Sequence, residues 1–468
     1  MIFNINKIAI AGVIFTAATL LSCQENKFGE VDLTLPDNTG KWEDVTAKYT
    51  YNHPCAMYND DDFARVRNML ADGTAPQVVK TAFEALKASK YGVIDYTPNP
   101  VRLMKRGTSA DVNDDADEDA AAAYQTAMLW KLTGDTRYAD ASVRILNAWA
   151  DECEGFDPNG NANQMLTAGI QGYTFANAAE IMQTYTGWGE SDKQAFKNWI
   201  VKNFAEKNRQ FMDLHWSRQY MMCEDHYWSN WDLVNMCSYL SIGILTENDE
   251  MVNYVVNYFY DGGGNGCIKK LARGNHADPL GSGETLFQNQ ESGRDQGHSM
   301  MSTMVTANLC QIAYTLYKGN KSVPELDFFA AHDNAVLKMA EYVALCNLRS
   351  GDDDKNKAGS WLVNAGDMPF EEYKYCINCS CPDKSHGVVQ SVVNLSEEVK
   401  NGRGEIRPGW EILYMHYAKE KGQGSGYKYC KMFADKLRPE CGPDGTRYTS
   451  RGGTFDQLAW GTLMLYRE

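Results

Sequence analysis

Beyond its first two dozen residues the chain has no long apolar run. The stretch IAIAGVIFTAATLL, residues 8–21, is short for a spanning helix, and nothing later resembles a membrane span. Positive charge is also in short supply. Lys and Arg number 45 against 61 Asp and Glu, a formal net charge of -16. That balance argues against a general nucleic-acid partner, which needs a basic face. It leaves an acidic substrate open, because a local cluster of Arg, His and Lys can oppose the field of the whole molecule. Metal-ligand spacing is wanting too. Cys376, Cys379 and Cys381 form CINCSC with His386 nearby, but no fourth ligand has a clear spacing, and a local disulfide fits at least as well as zinc. The Asp-rich runs at 113–119 and 351–354 lack the spacing of an EF-hand. The sequence therefore predicts no metal and no cofactor in the chemical step. Strand-like alternation is scarce before about residue 350.

What is present begins at the N-terminus. Lys7 and the apolar run end in Leu20-Leu21-Ser22-Cys23, small and apolar residues directly before a cysteine. This predicts a lipoprotein signal peptide over 1–22 and a lipidated Cys23. A polar tether would run to residue 50, and one large domain would fill 51–468. The expected location is the periplasm or the outer-membrane or cell surface of a Gram-negative bacterium, with the membrane touched only through the lipid. The other twelve of the 13 cysteines are mixed in character; Cys237, Cys310 and Cys346 sit in apolar helical patterns and read as buried free thiols.

From about Asp60 the pattern is helical. DDDFARVRNMLADG opens on Asp and closes on Gly, and the turn TGDTRYA joins two helical stretches closely enough to make them antiparallel. Further helical stretches follow at 163–185, 190–208, 226–247, 249–263, from near 294 to 317, 330–347, 408–422 and 454–466, with long loops around 350–408. Such hairpins predict a mainly α fold, either a solenoid or an α/α toroid, complete or incomplete, with minor β structure near the C-terminal side.

Four clusters break the apolar pattern. QESGRDQGH, residues 290–298, sets Arg294 and His298 one helical turn apart, with Gln296 between them and glycines at 293 and 297. A carboxylate ligand would meet a guanidinium fork and a helix N-terminus there. HYWSNWDLVNM places His226 and Asn230 a turn apart among Tyr227, Trp228 and Trp231, which suits a sugar with its apolar face and polar rim. RPGWEILYMHYAKEKG carries Arg407, Trp410, Glu411, Tyr414, His416 and Tyr417. Asn275 and His276 lie in a glycine-rich stretch leading into the first cluster. Structural readings compete at each: Arg294 paired with Asp295 or Glu291, and indoles that simply fill a core.

Taken together, SGRDQGH before a long helix, NWDLVNMCSYLSIG and RPGWEILYMHYAKEKG resemble blocks of the alginate-lyase-like polysaccharide lyases with an α/α toroid, over roughly residues 116–420. The resemblance implies β-elimination on a uronic-acid polymer, alginate before glucuronan or a glycosaminoglycan. It implies that Asn230 and Arg294 meet the substrate carboxylate and that His298 removes the proton or neutralises charge. His226, Tyr227, Trp231, Gln296, Asn275, His276, Arg407, Trp410, Glu411 and His416 would bind substrate. The chain departs from the better-known toroidal lyases in having no tyrosine shortly after His298; the next is Tyr314. Tyr414 is the first choice of proton donor, with Tyr227 and Tyr373 behind it. Two alternatives remain: a toroidal glycoside hydrolase using two of Glu291, Asp295, Asp232 and Glu411, and a lipid-anchored glycan-binding protein without catalysis.

Overall fold

The structure, a computed structural model, describes residues 42–105, 114–160, 162–214, 227–351, 356–376, 389–396, 402–443 and 455–468. The lipidation motif, His226, Cys379 and Cys381 lie outside the described residues.

Helix starts follow local chemistry. Asn59 and Asp62 form a reciprocal capping box at Asp60–Ala71, and Asp135 and Asn248 cap Thr136–Glu152 and Asp249–Asp261. Asp114–Thr133 reverses at Gly134 into Thr136–Glu152. Asn163–Met182 is followed by Glu190–Ile200, which continues through a widened turn into Glu206–Leu214. Ser229–Leu245 pairs with Asp249–Asp261, and Gln296–Gly319 with Ala331–Asn347. Trp410–Tyr414, prolonged by the wide turns Met415–Glu420, pairs with Lys428–Leu437.

The first helix of each pair forms an inner layer. These helices pack on one another in chain order, and Asn163–Met182, Ser229–Leu245 and Gln296–Gly319 are buried along almost their whole length. A helix apolar or small on all faces belongs inside such a ring. Two inner helices touch closely: a Cβ on Gly169 would fall 2.5 Å from Val234 Cγ2. The circle is completed by short segments, with Gly461–Leu465 packed on Trp410–Tyr414, Asp60–Ala71 and Gln77–Ala88. The fold is an incomplete α/α toroid. Because each inner helix is followed by a reversal and an outer helix, the inner helices run the same way. Their N-termini gather at one end of the ring and their C-termini at the other.

Three features differ from expectation. The glycine-rich stretch around Asn275 is an antiparallel β-hairpin, Ala272–Ala277 with Thr285–Asn289. Its register shifts between Arg273 and His276, where Gly274 takes φ +67, and that break hides the alternation a strand would show. The last helix is only Gly461–Leu465, because Ala459 and Trp460 are left-handed and Leu458 N–H is spent on Asn308. Residues 42–50, expected to be tether, lie extended along Asp249–Asp261, with backbone N–H groups of Val45, Ala47 and Tyr49 donating to Asn257, Asn253 and Asp249. The long loops near 350–408 include the strand pair Tyr373–Cys376 and Val389–Val392. Cys237, Cys310 and Cys346 are buried free thiols. No described helix is long and apolar enough to cross a membrane.

Candidate functional site

The β-hairpin delivers the chain to the N-terminal end of the inner helices. After Asn289 two tight turns follow, with Ser292 N–H on Asn289 O and Arg294 N–H on Glu291 O. Asp295 then caps Gln296–Gly319 by accepting from His298 N–H at 2.7 Å. The turn thus puts Glu291, Arg294, Asp295 and His298 within one knot of hydrogen bonds.

Glu291 is fully buried, yet its carboxylate is saturated. It accepts from Asn230 N–H at 2.8 Å, from Asn230 Nδ2 at 2.8 and 3.0 Å, from Ser229 Oγ at 2.9 Å and from Arg294 Nη1 at 2.9 Å. Ser229 and Asn230 begin an inner helix that has no side-chain cap of its own, so Glu291 supplies the anion its N-terminus favours. The other face of Arg294 meets the histidine: Nη2 lies 3.2 Å from His298 Nε2. A guanidinium only donates, so Nε2 accepts here and the ring proton sits on Nδ1. Nδ1 in turn lies 2.6 Å from Asp295 Oδ2. Burial pushes the Asp295 carboxyl up, but the bonds from His298 and the Arg294 charge outweigh this and hold it below the usual range. The His298 side chain remains 41 % exposed, the most open member of the chain.

Tyr373 approaches from the loop side. Its strand is tied to the β-hairpin through Gln288, which donates to Glu371 O at 3.0 Å and accepts from Glu371 N–H at 2.8 Å. Ser396 N–H donates to Ser292 O. Gly293 permits the approach, since a Cβ there would sit 2.1 Å from Val392 Cγ1 and 3.0 Å from Phe370 Cζ. The Tyr373 hydroxyl is buried and faces the Gly293 amide. Burial pushes the phenol up; the Arg273 charge, the nearby Gly293 amide and the Arg294 charge pull the other way, against the Glu291 charge. Arg273 lies 4.5 Å over the Tyr373 ring, and Arg294 5.1 Å over that of Trp228.

The remaining expected residues scatter. Asn230 is buried and bound to Glu291, so it holds the site's framework and reaches a ligand only through Arg294. Trp231 and Tyr227 are half-buried and pack on Phe211. His276 is half-buried beside Gln288, its imidazole pushed down by burial, and Asn275 is exposed on the same strand. Gln296 is interior, bonded to Ser292 O and Asn347.

The residues of the third cluster are engaged within the fold. Trp410 stacks on Phe433 at 4.5 Å with no exposed surface. Glu411 is sealed against Arg438 at 2.7 and 3.0 Å. Arg407 pairs with Asp456 and Glu405. His416 stacks on Phe329 at 3.7 Å, and burial lowers its imidazole to about 3. Tyr414 packs against Tyr427 and Lys431 on the outer side of that hairpin. Trp410, Glu411 and His416 are taken up by packing, whereas Arg407 reaches the site's edge through Glu405, whose carboxylate lies 2.9 Å from where a Cβ on Gly297 would stand. What the sequence understated is Glu291, whose role shows only when the N-terminus of another helix is brought to it, and Arg273 with Tyr373, which no spacing connects.

A helical ring with an arginine–histidine pair at the N-terminal end of its inner helices is the architecture of a toroidal polysaccharide lyase. A family model described as alginate lyase matches residues 44–277, half of the chain, and the chain belongs to that family of carbon–oxygen lyases. Among solved structures it is similar to alginate lyase A1-III from Sphingomonas species A1, with TM-score 0.53, 13 % identity, and coverage of 90 % of this chain and 98 % of that one. Two variants of A1-III complexed with a tetrasaccharide also match. One, tyrosine to phenylalanine, has TM-score 0.51 at 14 % identity; the other, histidine to alanine, 0.51 at 12 %, each covering 89 % of this chain and 97 % of that one. At such identities the likeness establishes the fold. No curated protein matches.

Proposed function

We propose that this lyase cleaves a uronic-acid polymer by β-elimination, with alginate as the favoured substrate. The observation that carries the proposal is the bonded chain Asn230–Glu291–Arg294–His298–Asp295, which holds a guanidinium beside an oriented imidazole lone pair. Elimination across C4 and C5 of a uronate needs the carboxylate charge neutralised, the C5 proton removed and the C4 oxygen protonated as it leaves.

Arg294 is assigned to the carboxylate, with Arg273 adding positive charge from across Tyr373. Glu291 and Asn230 fix the guanidinium. His298 takes the C5 proton at Nε2 while Asp295 holds Nδ1 and stabilises the imidazolium. Tyr373 is assigned ahead of Tyr414 as the donor to the leaving oxygen, because it lies beside Arg273 and Gly293 and within the charge field of the Glu291–Arg294 pair. The inner-helix N-termini favour a polyanion at this end of the ring despite the net charge of -16. The tetrasaccharide carried by the A1-III variants supports an oligosaccharide ligand.

Hydrolysis is disfavoured by burial. Glu291, Asp232 and Glu411 have no exposed surface, which leaves Asp295 without a second open carboxylate among the four. We further propose that Cys23 carries the lipid that anchors the enzyme at the periplasmic or outer surface. Cys23→Ala should move the protein from the membrane to the soluble fraction; unchanged fractionation would refute the anchor. The chemistry is tested with His298→Ala, which should fold normally and lose unsaturated-product formation about 10²-fold or more.

A further inference from the structure

We propose a structural transition-metal site, suited to Zn²⁺, at the opposite end of the ring, built from His53, Cys55 and Glu180. The imidazole, thiol and carboxylate ligand atoms all lie within 4.8 Å of one another. Glu180 is 1 % exposed and Cys55 5 %. His53 Nδ1 lies 2.8 and 3.0 Å from the two Glu180 oxygens, and Cys55 N–H donates to the same carboxylate at 2.8 Å. Around a tetrahedral ion with bonds of about 2.0–2.3 Å, ligand atoms stand roughly 3.5 Å apart, so the cluster need open only slightly. Nitrogen, sulfur and oxygen donors together suit zinc better than a hard ion such as calcium.

The surroundings match a metal site beyond the ligands. Glu247 Oε1 lies 3.1 Å from His53 Nε2, the carboxylate–imidazole–metal arrangement that fixes a ligand's tautomer and orientation. Glu247 is held there in a left-handed conformation, φ 54, just past the C-terminus of Ser229–Leu245. Glu180 stands in the last turn of Asn163–Met182. The ion would therefore sit against the C-termini of two inner helices, where the peptide dipoles favour a cation. A cavity of about 440 Å³ lined by His53, Cys55, Asp60, Thr315 and Lys318 gives access. With a thiolate and a carboxylate the bound ion is charge-neutral, and the thiol proton is released to solvent on binding.

The site would pin the strap at 42–59 to the ring. Thr315 and His298 are 17 residues apart on one helix, about 26 Å at 1.5 Å per residue, so the ion takes no part in elimination. His53 and Cys55 are separated from Glu180 by more than a hundred residues, which is why no motif announced them.

The test uses the full mature chain, stripped with chelator and titrated with Co²⁺ and Zn²⁺. The expected result is one ion per chain, a thiolate-to-cobalt charge-transfer band in the near ultraviolet, and a Tm raised by Zn²⁺. Cys55→Ser should abolish the band and weaken binding at least tenfold. Glu247→Gln should keep the band and weaken binding about tenfold. Failure to bind stoichiometrically would overturn the proposal and leave Glu180–His53–Glu247 as a closed hydrogen-bonded network. So would wild-type binding by Cys55→Ser, which would put the ion elsewhere.

Discussion

Replacing Asp295 by asparagine separates orientation from fold. Asp295 makes two bonds: Oδ1 accepts from His298 N–H at 2.7 Å, and Oδ2 faces Nδ1 at 2.6 Å. If the amide keeps the cap, its Nδ2–H confronts Nδ1–H, donor against donor. Moving the ring proton to Nε2 only transfers the conflict to Arg294 Nη2, 3.2 Å away. If the amide turns over instead, the tautomer is restored but the cap is lost, at a cost of about 1 kcal/mol. Stability therefore falls by no more than about 1 kcal/mol, while kcat/KM falls about 10²- to 10⁴-fold, the range for a misoriented catalytic imidazole. Initial rates of unsaturated-product formation give the second number and urea unfolding the first. Wild-type turnover in Asp295→Asn would refute the role given to His298. Loss of activity matched by several kcal/mol of destabilisation would refute the separation.

Other outcomes follow from the same geometry. Tyr373→Phe should lower kcat at least 10²-fold with an unchanged Tm, whereas Tyr414→Phe should keep near wild-type kinetics; the reverse pattern would return the donor's role to Tyr414. Gly293→Ala should push back Phe370 and Val392 and lower kcat about tenfold or more while the circular dichroism spectrum stays unchanged, because the new Cβ would meet Val392 at 2.1 Å. Burial raises the Glu440 carboxyl to about 7. The unfolded chain gives up that proton near pH 4.5, so stability is present below the unfolded value and is lost as pH rises through the folded one. Glu440→Gln should accordingly raise Tm more at pH 8 than at pH 5, and an equal change at both would contradict the assignment.

Much of the ring was legible because its signals are local. Asn59, Asp135 and Asn248 announce helix starts, and the Gly134-Asp135 reversal announces a hairpin. The Arg294–His298 adjacency was legible for the same reason, being one helical turn. Relations between distant segments were not. Glu291 caps a helix that begins 62 residues earlier at Ser229, and its carboxylate reads equally well as a surface charge until that helix is in place. On the aromatic helix at 410–420 a core stack and a sugar platform use the same residues, and only partners such as Phe433 and Phe329 distinguish them. The β-hairpin at 272–289 escaped because its bulge and its glycines interrupt the two-residue period.

The most direct test is a panel of acidic polymers, alginate, glucuronan and glycosaminoglycans among them, incubated with the purified enzyme and followed by near-ultraviolet absorbance and by reducing-end assay together. Cleavage of a uronate polymer, alginate first, should produce both signals in step, and His298→Ala and Asp295→Asn should suppress both. New reducing ends without the absorbance of an unsaturated uronate would contradict β-elimination, and full activity in both variants would contradict the site.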